Sequence, residues 1–574
     1  SENHTITGNP VQYPGFLSFM MKLTISLVLL FTVGYLYAVD WTVLVYMAAD
    51  NDLATQAKLN IQQMEEAIQP RNLNLVVQTD IAGEGAKRYR IAEHPAPGIG
   101  SPVLQNLGDV DSGDPKTLRN FINWGFNRYP SQRRMLILWS HADSWYKQSK
   151  DIAPDMVTGN AISVANGELM EALKGTPHLD ILLFDACSMQ SIEIAYELRY
   201  KADFIVGSAD LVPVKGFPYS TMIPLFEDEP LFVASQIPQL YTDSYLPRTP
   251  NNPSDFYLTT TCSTLKTSVL DSVYSRFQSV IPKLFAHSAE MMTIRETLYE
   301  MNSGYADVDM YQMLVRMRDQ NIIPQELDAM LLALDELILT SSYTMQYPEQ
   351  DLSSLAIWFP DIRQNFNAAW KIYMQLSFAE NQWLSVVNSA LGDQIPPDAP
   401  SLGSVRQRLA TLQLSLVAPL DPDSLTYFFK SDHANFEILP PAYATDFLVS
   451  FIITGSGRAQ IYAKDRAGNI SEALIVNYEY KEESDGFFTR PNPALRNSVV
   501  FMDWHLKNTN STQLKLRLFD VRGRLLKTIS HADFAETGSL RIDELFEFHI
   551  LPRGVYVLEL QSDNKRLLRK FALR

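Results

Sequence analysis

Cysteine is almost absent from this sequence of 574 residues, which contains only Cys187 and Cys262. Two cysteines rule out a disulfide framework and allow at most one bridge. The usual metal and phosphate signatures are also missing: we find no HExxH motif, no CxxC pair and no glycine-rich phosphate loop, and the nine histidines lack metal-ligand spacing. The formal charge of −17, without a basic stripe, argues against a nucleic-acid partner.

The N-terminal region carries features of targeting rather than of a fold. Residues 1–20 lack a starting Met, and we interpret them as an upstream extension. Met21 and Lys22 precede the apolar run LTISLVLLFTVGYLYA, so residues 21–38 are predicted to be a secretory signal peptide cleaved after Ala38. The alternative is an uncleaved membrane anchor, which the shortness of the run and the lack of a following basic cluster disfavour.

The remainder is too long for one ordinary domain. Apolar strands alternate with helical patterns in the first half, which predicts an α/β fold with a mostly parallel sheet flanked by helices, and we assign residues 39–392 to it. The segment LSSLAIWFP is expected to add one strand to the same sheet. After a proline-rich linker at 393–400, period-two alternation predicts two small β-sandwich domains at 401–480, immunoglobulin or fibronectin-like, and 487–574.

Two residues capable of chemistry follow buried strands. Cys187 ends the apolar run ILLFDAC, and His141 ends the run MLILWSH, 46 residues earlier and about one strand-helix-strand crossover away. Neighbouring strands lie about 4.8 Å apart, so residues at equivalent carboxyl ends can bring a thiol and an imidazole together. A lone buried cysteine is more often a packing residue, but a cysteine paired with histidine suits nucleophilic catalysis. Cys262 has no such partner in the pattern and is interpreted as structural.

The blocks MLILWSHADSW and ILLFDACSMQSIEIAYELRYKADFIVGSAD resemble the His and Cys blocks of the clostripain family of cysteine peptidases, in the caspase-like clan. The resemblance extends to WTVLVYMAADNDL, GFPYS, LAIWFP and YMQLSFAENQW, and covers about residues 40–392. It implies a caspase-like peptidase domain and a secreted cysteine endopeptidase acting on proteins or peptides. In that interpretation Cys187 is the nucleophile and His141 handles the proton. No cofactor is implied, apart from the calcium that some relatives need.

The resemblance has one departure. It implies an oxyanion hole formed by the backbone N–H groups of Ala142 and Cys187, but the family normally has Gly where this chain has Ala142. If that turn needs a positive φ, the methyl group costs about 1 kcal/mol or more. Asp143 and Ser144 also replace a glycine-rich run. The alternative function is therefore a catalytically inactive, peptidase-like surface protein that binds peptides or glycans.

The resemblance also assigns the residue that selects the substrate. Asp185 lies two residues before Cys187, on the same face of the strand, and by resemblance it receives an Arg or Lys side chain before the scissile bond. The alternative is that Asp185 orients a turn or caps the next helix. The loop from residue 208 to 219 is expected to form another wall, with Ser208 and Asp210 binding substrate and Lys215 opposing Asp185.

Two acidic residues near the first strand have two interpretations. Asp50 and Asp52 could bind calcium, but we favour a role at the N-cap of the following helix, for which Asp50, Asn51 and Asp52 are the candidates. Separately, the polar segment YKQSKDIAPDMVTGN between the two blocks predicts an exposed loop, and relatives cut themselves in this region. The expected cuts follow Lys147 or Lys150 and leave a monomer of two chains.

The last segment resembles the C-terminal sorting domain of the type IX secretion system. It contains PNPA, a strand with DVRGRLLKT, the stretch LPRGVYVLEL and a basic tail. The alternative is simply a terminal β-sandwich of a secreted protein. With the signal peptide, the resemblance implies recognition by secretion machinery, export across two membranes, and release or attachment at the cell surface.

Overall fold

The computed structural model describes residues 39–69, 72–145, 152–246, 260–301, 306–344, 352–408, 411–440, 444–480, 486–492, 494–495, 498–506, 514–531, 537–562 and 565–574. The chain divides into two compact units, residues 1–391 and 392–574. The predicted upstream extension and signal peptide lie outside the described residues, as do the predicted cleavage sites Lys147 and Lys150. No helix in the described part of the chain has both the length and the apolar character needed to cross a membrane.

Nine described strands form one sheet in the first unit. They are β1 (Val39–Ala49), β2 (Leu73–Ile81), β3 (Gly85–Arg90), β4 (Val103–Gly108), β5 (Ser131–Trp139), β6 (Leu179–Asp185), β7 (Ala202–Gly207), β8 (Thr261–Lys266) and β11 (Ile338–Tyr343). Their order is β11-β8-β7-β6-β5-β1-β2-β3-β4. The five central strands from β7 to β2 are parallel, and the two at each end pair antiparallel. The predicted fold class, a mostly parallel sheet with helices followed by small β domains, is confirmed.

Helices cover both faces of this sheet, which explains the unbroken apolar runs of its central strands. Alternate residues of β1 enter opposite cores: Leu44 packs in one cluster of buried side chains and Val45 in the other. The helices are α1 (Ala54–Ala67), α2 (Pro115–Arg128), α3 (Glu168–Ala172), α4 (Ile192–Leu198), α5 (Tyr219–Met222), α6 (Pro230–Asp243), α7 (Leu270–Phe285), α8 (Ser288–Arg295), α9 (Met310–Asp319), α10 (Pro324–Leu337), α11 (Arg363–Tyr373) and α12 (Trp383–Ala390).

The strand predicted within LSSLAIWFP exists, but its placement in the main sheet was wrong. It is β12 (Ala356–Trp358), which pairs with β10 (Asp307–Asp309), and β10 in turn pairs with β9 (Glu300–Met301). Ala356 also bridges to Ser191, just before α4. The apolar pattern correctly indicated burial, but it carries no information about which strand will be the partner.

The second unit contains four antiparallel sheets within its described residues. The first two are β13-β14-β17 and β16-β15-β18-β19, and the last two are β20-β21-β24 and β23-β22-β25-β26. The strands are β13 (Ser401–Arg408), β14 (Thr411–Val417), β15 (Thr426–Ser431), β16 (Asn435–Ile438), β17 (Asp446–Ile452), β18 (Gly457–Lys464), β19 (Leu474–Tyr478), β20 (Gly486–Arg490), β21 (Phe501–His505), β22 (Leu514–Asp520), β23 (Leu525–His531), β24 (Thr537–Arg541), β25 (Gly554–Ser562) and β26 (Lys565–Leu573).

Each pair of sheets in the second unit encloses its own apolar cluster. Leu414, Tyr427 and Ile461 belong to the first cluster, and Met502 and Leu558 belong to the second. Alternating burial along β18 and β22 matches the period-two pattern of the sequence. The domain boundaries at 393–400, 401–480 and 487–574 stay predictions.

Candidate active site

Register between two parallel strands places the predicted dyad. Trp139, the last residue of β5, pairs with Asp185, the last residue of β6. His141 and Cys187 therefore each lie two residues beyond the same rung of the sheet. In a parallel sheet such loops meet at the carboxyl edge, where α/β proteins place their ligand sites.

Both residues line one cavity of about 240 Å³. The cavity also contains Ala142 and Asp185, so four of the predicted site residues are brought together. Its walls come from the carboxyl ends of β5 and β6 and the residues that follow them, from the residue just before α1, and from the loop after β7. The lining residues are Leu53, Trp139, Ser140, His141, Ala142, Asp143, Asp185, Cys187, Leu211, Val212, Pro213, Val214 and Gly216.

His141 contacts a carboxylate that follows β1. Its Nε2 lies 2.6 Å from Oδ1 of Asp52. The loop carrying the imidazole is held by Ser140, whose hydroxyl donates to the carbonyl of Ala48 at 2.7 Å and whose N–H donates to the carbonyl of Asp185 at 3.3 Å. These bonds tie the His141 loop to the strands on both sides.

Of the three N-cap candidates, Asp50 and Asp52 do not cap the first helix, and that part of the expectation is wrong. Leu53 occupies the N-cap position of α1, and no side chain caps the helix start. Asn51, the third candidate, accepts a hydrogen bond from the N–H of Leu53 at 3.0 Å, just before the helix. Asp52 is directed to His141, while Asp50 lies close enough to Asp155 for a hydrogen bond between the two carboxyls, and burial raises its pKa. Because the two carboxylates have different partners, they do not form a common cation site here, and calcium binding by the protein stays a prediction.

Ala142 does not adopt a positive φ. The methyl group of Ala142 therefore does not strain the turn, because such strain would require a positive φ. Positive φ values occur instead at Ser144, 65°, and Ser188, 57°, one residue after the cysteine. The Gly-to-Ala departure thus introduces no positive-φ strain at Ala142, which lines the cavity.

The sulfur of Cys187 is covered by one residue of the loop after β7. The N–H of Val212 donates to Sγ at 3.3 Å, and its carbonyl oxygen lies 3.7 Å from the same sulfur. Burial raises the pKa of the thiol to about 11, and the carboxylates of Asp143, Asp185 and Asp210 act in the same direction. At neutral pH the sulfur is therefore protonated, so it needs a base to become a nucleophile.

Asp185 forms a buried acidic floor of the cavity. Its Oδ2 accepts hydrogen bonds from the Tyr219 hydroxyl at 2.8 Å and from the N–H of Phe217 at 3.2 Å. Burial raises the pKa of the carboxyl to about 6, and these two donors oppose that rise. Gly216 has φ 69°, and a Cβ built there would lie 2.8 Å from Oδ2 of Asp185. A residue with a side chain at position 216 would therefore collide with the Asp185 carboxylate, and glycine also tolerates the positive φ. The side chain of Lys215 is exposed.

Ser208 and Asp210 lie behind the cavity. The Ser208 carbonyl accepts from the N–H of Gln190 at 3.0 Å, and the Asp210 carbonyl accepts from the N–H of Ser188 at 3.1 Å. The Ser208 hydroxyl lies 3.2 Å from that of Thr261. Neither Ser208 nor Asp210 occurs among the described residues lining the cavity. Their backbone bonds hold the chain just after Cys187, and their substrate-binding role stays a prediction.

A family model described as the clostripain family matches residues 45–389, more than half of the chain. The chain belongs to the clostripain family. The enzyme clostripain of Hathewaya histolytica is 26% identical over 212 residues, a match that spans 31% of this chain and only 40% of that protein.

Two solved C11 proteases cover about three fifths of this clostripain-family chain. A secreted C11 cysteine protease from Bacteroides thetaiotaomicron, in complex with an irreversible peptide inhibitor, is 23% identical, with 62% of this chain and 100% of that chain covered and a TM-score of 0.49. An inactive zymogen C11 protease from Parabacteroides distasonis is also 23% identical, with 59% and 97% covered and a TM-score of 0.48.

In this member of the clostripain family, one aromatic cluster supports both loops of the site. Trp145, which follows the His141 loop, is fully buried and meets Trp358 and Tyr373 edge-on, with ring centroids 5.6 and 5.0 Å away. Glu193 in α4 accepts hydrogen bonds from the N–H of Trp358 at 3.0 Å and the Tyr373 hydroxyl at 3.3 Å. The segment after His141 and the helix after Cys187 thus both contact Trp358 and Tyr373.

Three features of the site escaped the sequence analysis: the Asp52 contact, the Val212 cover and the Tyr219 hydrogen bond. Asp52 was noticed as an acidic residue after a strand, but its histidine partner is 89 residues away. The pairing could have been found from the positions of the two residues after their strands. Because β1 and β5 are adjacent and parallel, with Met47 opposite Trp139, the residues after both strands lie at the same edge of the sheet. The other two contacts depend on the path of the loop after β7, which cannot be predicted from the spacing of apolar residues in the sequence.

One carboxylate cluster lies outside this site, in the second unit of the clostripain-family chain. Asp393, Asp423 and Asp465 each offer an oxygen, and these oxygens lie within 4.8 Å of one another. It is the only group of this kind among the residues that the structure describes. Asp423 and Asp465 are buried, but acidic groups also cluster without a metal, so this geometry alone does not assign a cation site.

Proposed function

We propose that this chain is a secreted cysteine endopeptidase that hydrolyses peptide bonds through Cys187 and His141. The observation that carries the proposal is the shared geometry of the two side chains, which lie two residues beyond one paired rung and line one cavity. A thiol, an imidazole and backbone N–H groups at the carboxyl edge of a sheet suffice for acyl transfer.

The chemistry requires proton transfer before attack. His141 accepts the thiol proton of Cys187, and Sγ then bonds to the substrate carbonyl carbon. The N–H groups of Ala142 and Cys187 stabilise the resulting oxyanion. When the tetrahedral intermediate collapses, the C–N bond breaks and the imidazolium gives its proton to the leaving amine. Water, deprotonated by His141, then hydrolyses the thioester and restores the thiol.

Val212 occupies one side of the sulfur, since its N–H and its carbonyl both contact Sγ. Cys187 also lines the cavity, so substrate would approach the sulfur from the cavity side. The neighbouring side chains of Leu211 and Val214 are exposed, 51% and 67%, which leaves this part of the loop few packing contacts to lose if it shifts on binding.

We propose Asp185 as the specificity residue, with Arg preferred over Lys before the scissile bond. The carboxylate lines the cavity beside Gly216, which has no side chain to fill the space next to Oδ2. Arg offers a planar pair of donors for a carboxylate, whereas Lys binds as a point charge. The acidic floor also repels Asp and Glu side chains.

Secretion is part of the proposal and rests on the two terminal segments. The predicted signal peptide would be removed after Ala38, giving a mature chain that begins near Val39. The sorting-like segment from about residue 485 would then be lost on export. The excess of acidic over basic residues, 65 against 48, is compatible with an extracellular protein and offers no basic surface for nucleic acid.

An alkylating peptide probe tests the proposed function directly. A chloromethyl ketone peptide with a terminal arginine is expected to add one label per chain, on Cys187, and labelling should slow at least a hundredfold in His141→Ala. Cys262 is a matched control within the same protein, since it is fully buried and should stay unlabelled.

The alternative outcomes of the labelling experiment are distinct. Stable peptide binding without any adduct would favour the inactive, peptide-binding or glycan-binding protein. Equal labelling of wild type and His141→Ala would show that the imidazole does not act as the base. Mass spectrometry of the digested protein identifies the labelled cysteine.

Self-cleavage is expected after Lys147 or Lys150. The described residues on either side, Trp145 and Ile152, are buried, 0% and 1% exposed, and the proposal itself rests on the polar sequence between them. N-terminal sequencing of the purified protein should give an internal start after one of these lysines, together with a start near Val39. Cys187→Ala and the double variant Lys147→Ala/Lys150→Ala should both lack the internal start. An active enzyme that remains one chain contradicts this prediction.

A further inference from the structure

The imidazole of His141 has a carboxylate partner that the family resemblance did not supply. Nε2 lies 2.6 Å from Oδ1 of Asp52, a residue on a different strand connection and 89 positions away in the chain. We propose that Asp52 is a positioning residue that completes a Cys-His-Asp arrangement in this protein. The proposal rests on the proposed function, because it assigns Asp52 a role only through His141.

The backbone around Asp52 is fixed on both sides. The amide of Asn51 donates to the carbonyls of Ala48 at 3.1 Å and Pro154 at 3.2 Å, and its oxygen accepts from the N–H of Leu53 at 3.0 Å. Asn51 is buried, with 8% of its surface exposed. This residue therefore ties the turn after β1 to the end of β1 and to the segment containing Pro154, and Asp52 follows it directly in the chain.

Sheet register explains why the turn reaches the histidine. β1 and β5 are parallel neighbours, with Met47 opposite Trp139, so the chain after each strand leaves the sheet at the same edge. Asp52 follows Met47 by five residues and His141 follows Trp139 by two. Ser140 links the two segments through its bond to Ala48. The register of the central sheet therefore places Asp52 and His141 next to each other.

The contact decides which ring nitrogen can act as the base. A neutral imidazole carries one proton, and a carboxylate can only accept a hydrogen bond. Asp52 therefore holds the proton on Nε2 and leaves Nδ1 unprotonated, able to accept the proton of the thiol. When His141 becomes an imidazolium, the carboxylate also stabilises the positive charge. Both effects change the rate of the chemical step, although Asp52 itself does not contact the substrate.

The exposure of Asp52 limits the size of the effect. Its side chain is 83% exposed, whereas that of His141 is 26% exposed, so water competes for the hydrogen bond. Asp52→Ala is expected to lower kcat about twofold to fivefold, below the loss expected for a buried charge-assisted bond. KM should change less than about twofold, because Asp52 does not line the cavity.

The chain offers a matched control for this pair. His178 and Asp203 form another contact of the same type, Nε2 to Oδ1 at 2.9 Å, and Asp203 is 58% exposed. Neither residue lines the cavity. Asp203→Ala should leave kcat and KM unchanged, so any general effect of losing an exposed His-Asp pair is measured separately.

The test compares wild type, Asp52→Ala, Asp52→Glu, Asp52→Asn and Asp203→Ala on one arginine peptide substrate, with thermal unfolding measured for each. Glu should restore kcat more fully than Asn, because it keeps the charge. In protein labelled with ¹⁵N-histidine, the Nε2–H tautomer of His141 should dominate in wild type and give way to a mixture in Asp52→Ala. His141→Ala assigns the resonance.

Two results would overturn the inference. Unchanged kcat in Asp52→Ala, with an active wild type, removes Asp52 from the mechanism and leaves the Cys187 and His141 assignment standing. A kcat loss without any change in the His141 tautomer, and without rescue by Glu, assigns Asp52 a purely structural role. If wild type itself shows no activity and no labelling of Cys187, the proposed function fails, and this outcome is distinguishable from both.

Discussion

Cys187→Ala should lower kcat/KM on an arginine peptide substrate by about 10⁴-fold or more, because removal of a covalent nucleophile leaves only binding and the oxyanion donors. The methyl group of alanine fits the space of the thiol, and Cys187 is only partly buried, so the fold should be retained. Thermal unfolding of the variant checks that the loss is chemical.

Cys262→Ala is the matched control for the nucleophile. Cys262 lies in β8 within the apolar cluster on one face of the main sheet and is fully buried. Its removal should cost about 1 kcal/mol of stability through the small cavity it leaves, and kcat/KM should stay within about threefold. Retention of wild-type activity in Cys187→Ala would refute the nucleophile assignment, whatever the second variant does.

Asp185→Asn should reduce the preference for Arg over Ala before the scissile bond by about tenfold to a hundredfold, the worth of a charge-assisted bond of about 1.5–3 kcal/mol. Asn keeps the size of the side chain and can accept the Tyr219 hydrogen bond, but it has no charge. The ratio of kcat/KM values on matched Arg, Lys, Asp and Ala substrates measures the effect. An undiminished Arg preference in the variant would make Asp185 structural.

The same preference should depend on pH. Burial raises the pKa of the Asp185 carboxyl to about 6, so in the free protein the group is ionised above that pH and protonated below it. As pH falls from about 8 to 5, the Arg preference of the wild type should therefore decline, because a neutral carboxyl loses its attraction for guanidinium. In Asp185→Asn the Arg-to-Ala ratio should be flat over this range.

Tyr219→Phe tests the cause of that pH dependence. The Tyr219 hydroxyl donates to the Asp185 carboxylate and lowers its pKa against the effect of burial. Its loss should move the decline of the Arg preference to higher pH while leaving the full preference at pH 8.5 or above. A decline at the same pH as in the wild type would show that another group controls the preference.

Much of the peptidase unit could be predicted because its strands are buried on both faces. A strand covered by helices on each side must be apolar at every position, and such runs as VLVYM and ILLF are visible without knowledge of the partners. The residue following such a run lies at the sheet edge, so His141 and Cys187 could be placed beside each other before any coordinates. The mostly parallel sheet was confirmed for this reason, whereas the following β domains were predicted from period-two alternation, because their strands bury only one face.

Contacts between distant loops were decided only by the tertiary structure. An apolar pattern indicates that a segment is buried, but it does not identify the neighbouring strand. For example, β12 (Ala356–Trp358) was predicted in the main sheet and instead belongs to a smaller, three-stranded sheet. The φ of Ala142, the contact of Asp52 with His141 and the cover of Val212 over the sulfur likewise depend on how several loops meet at one edge. The sequence alone predicted which residues could carry chemistry and where along the chain they lie. Tertiary packing decided their protonation and exposure, because both depend on partners that are far apart in the chain.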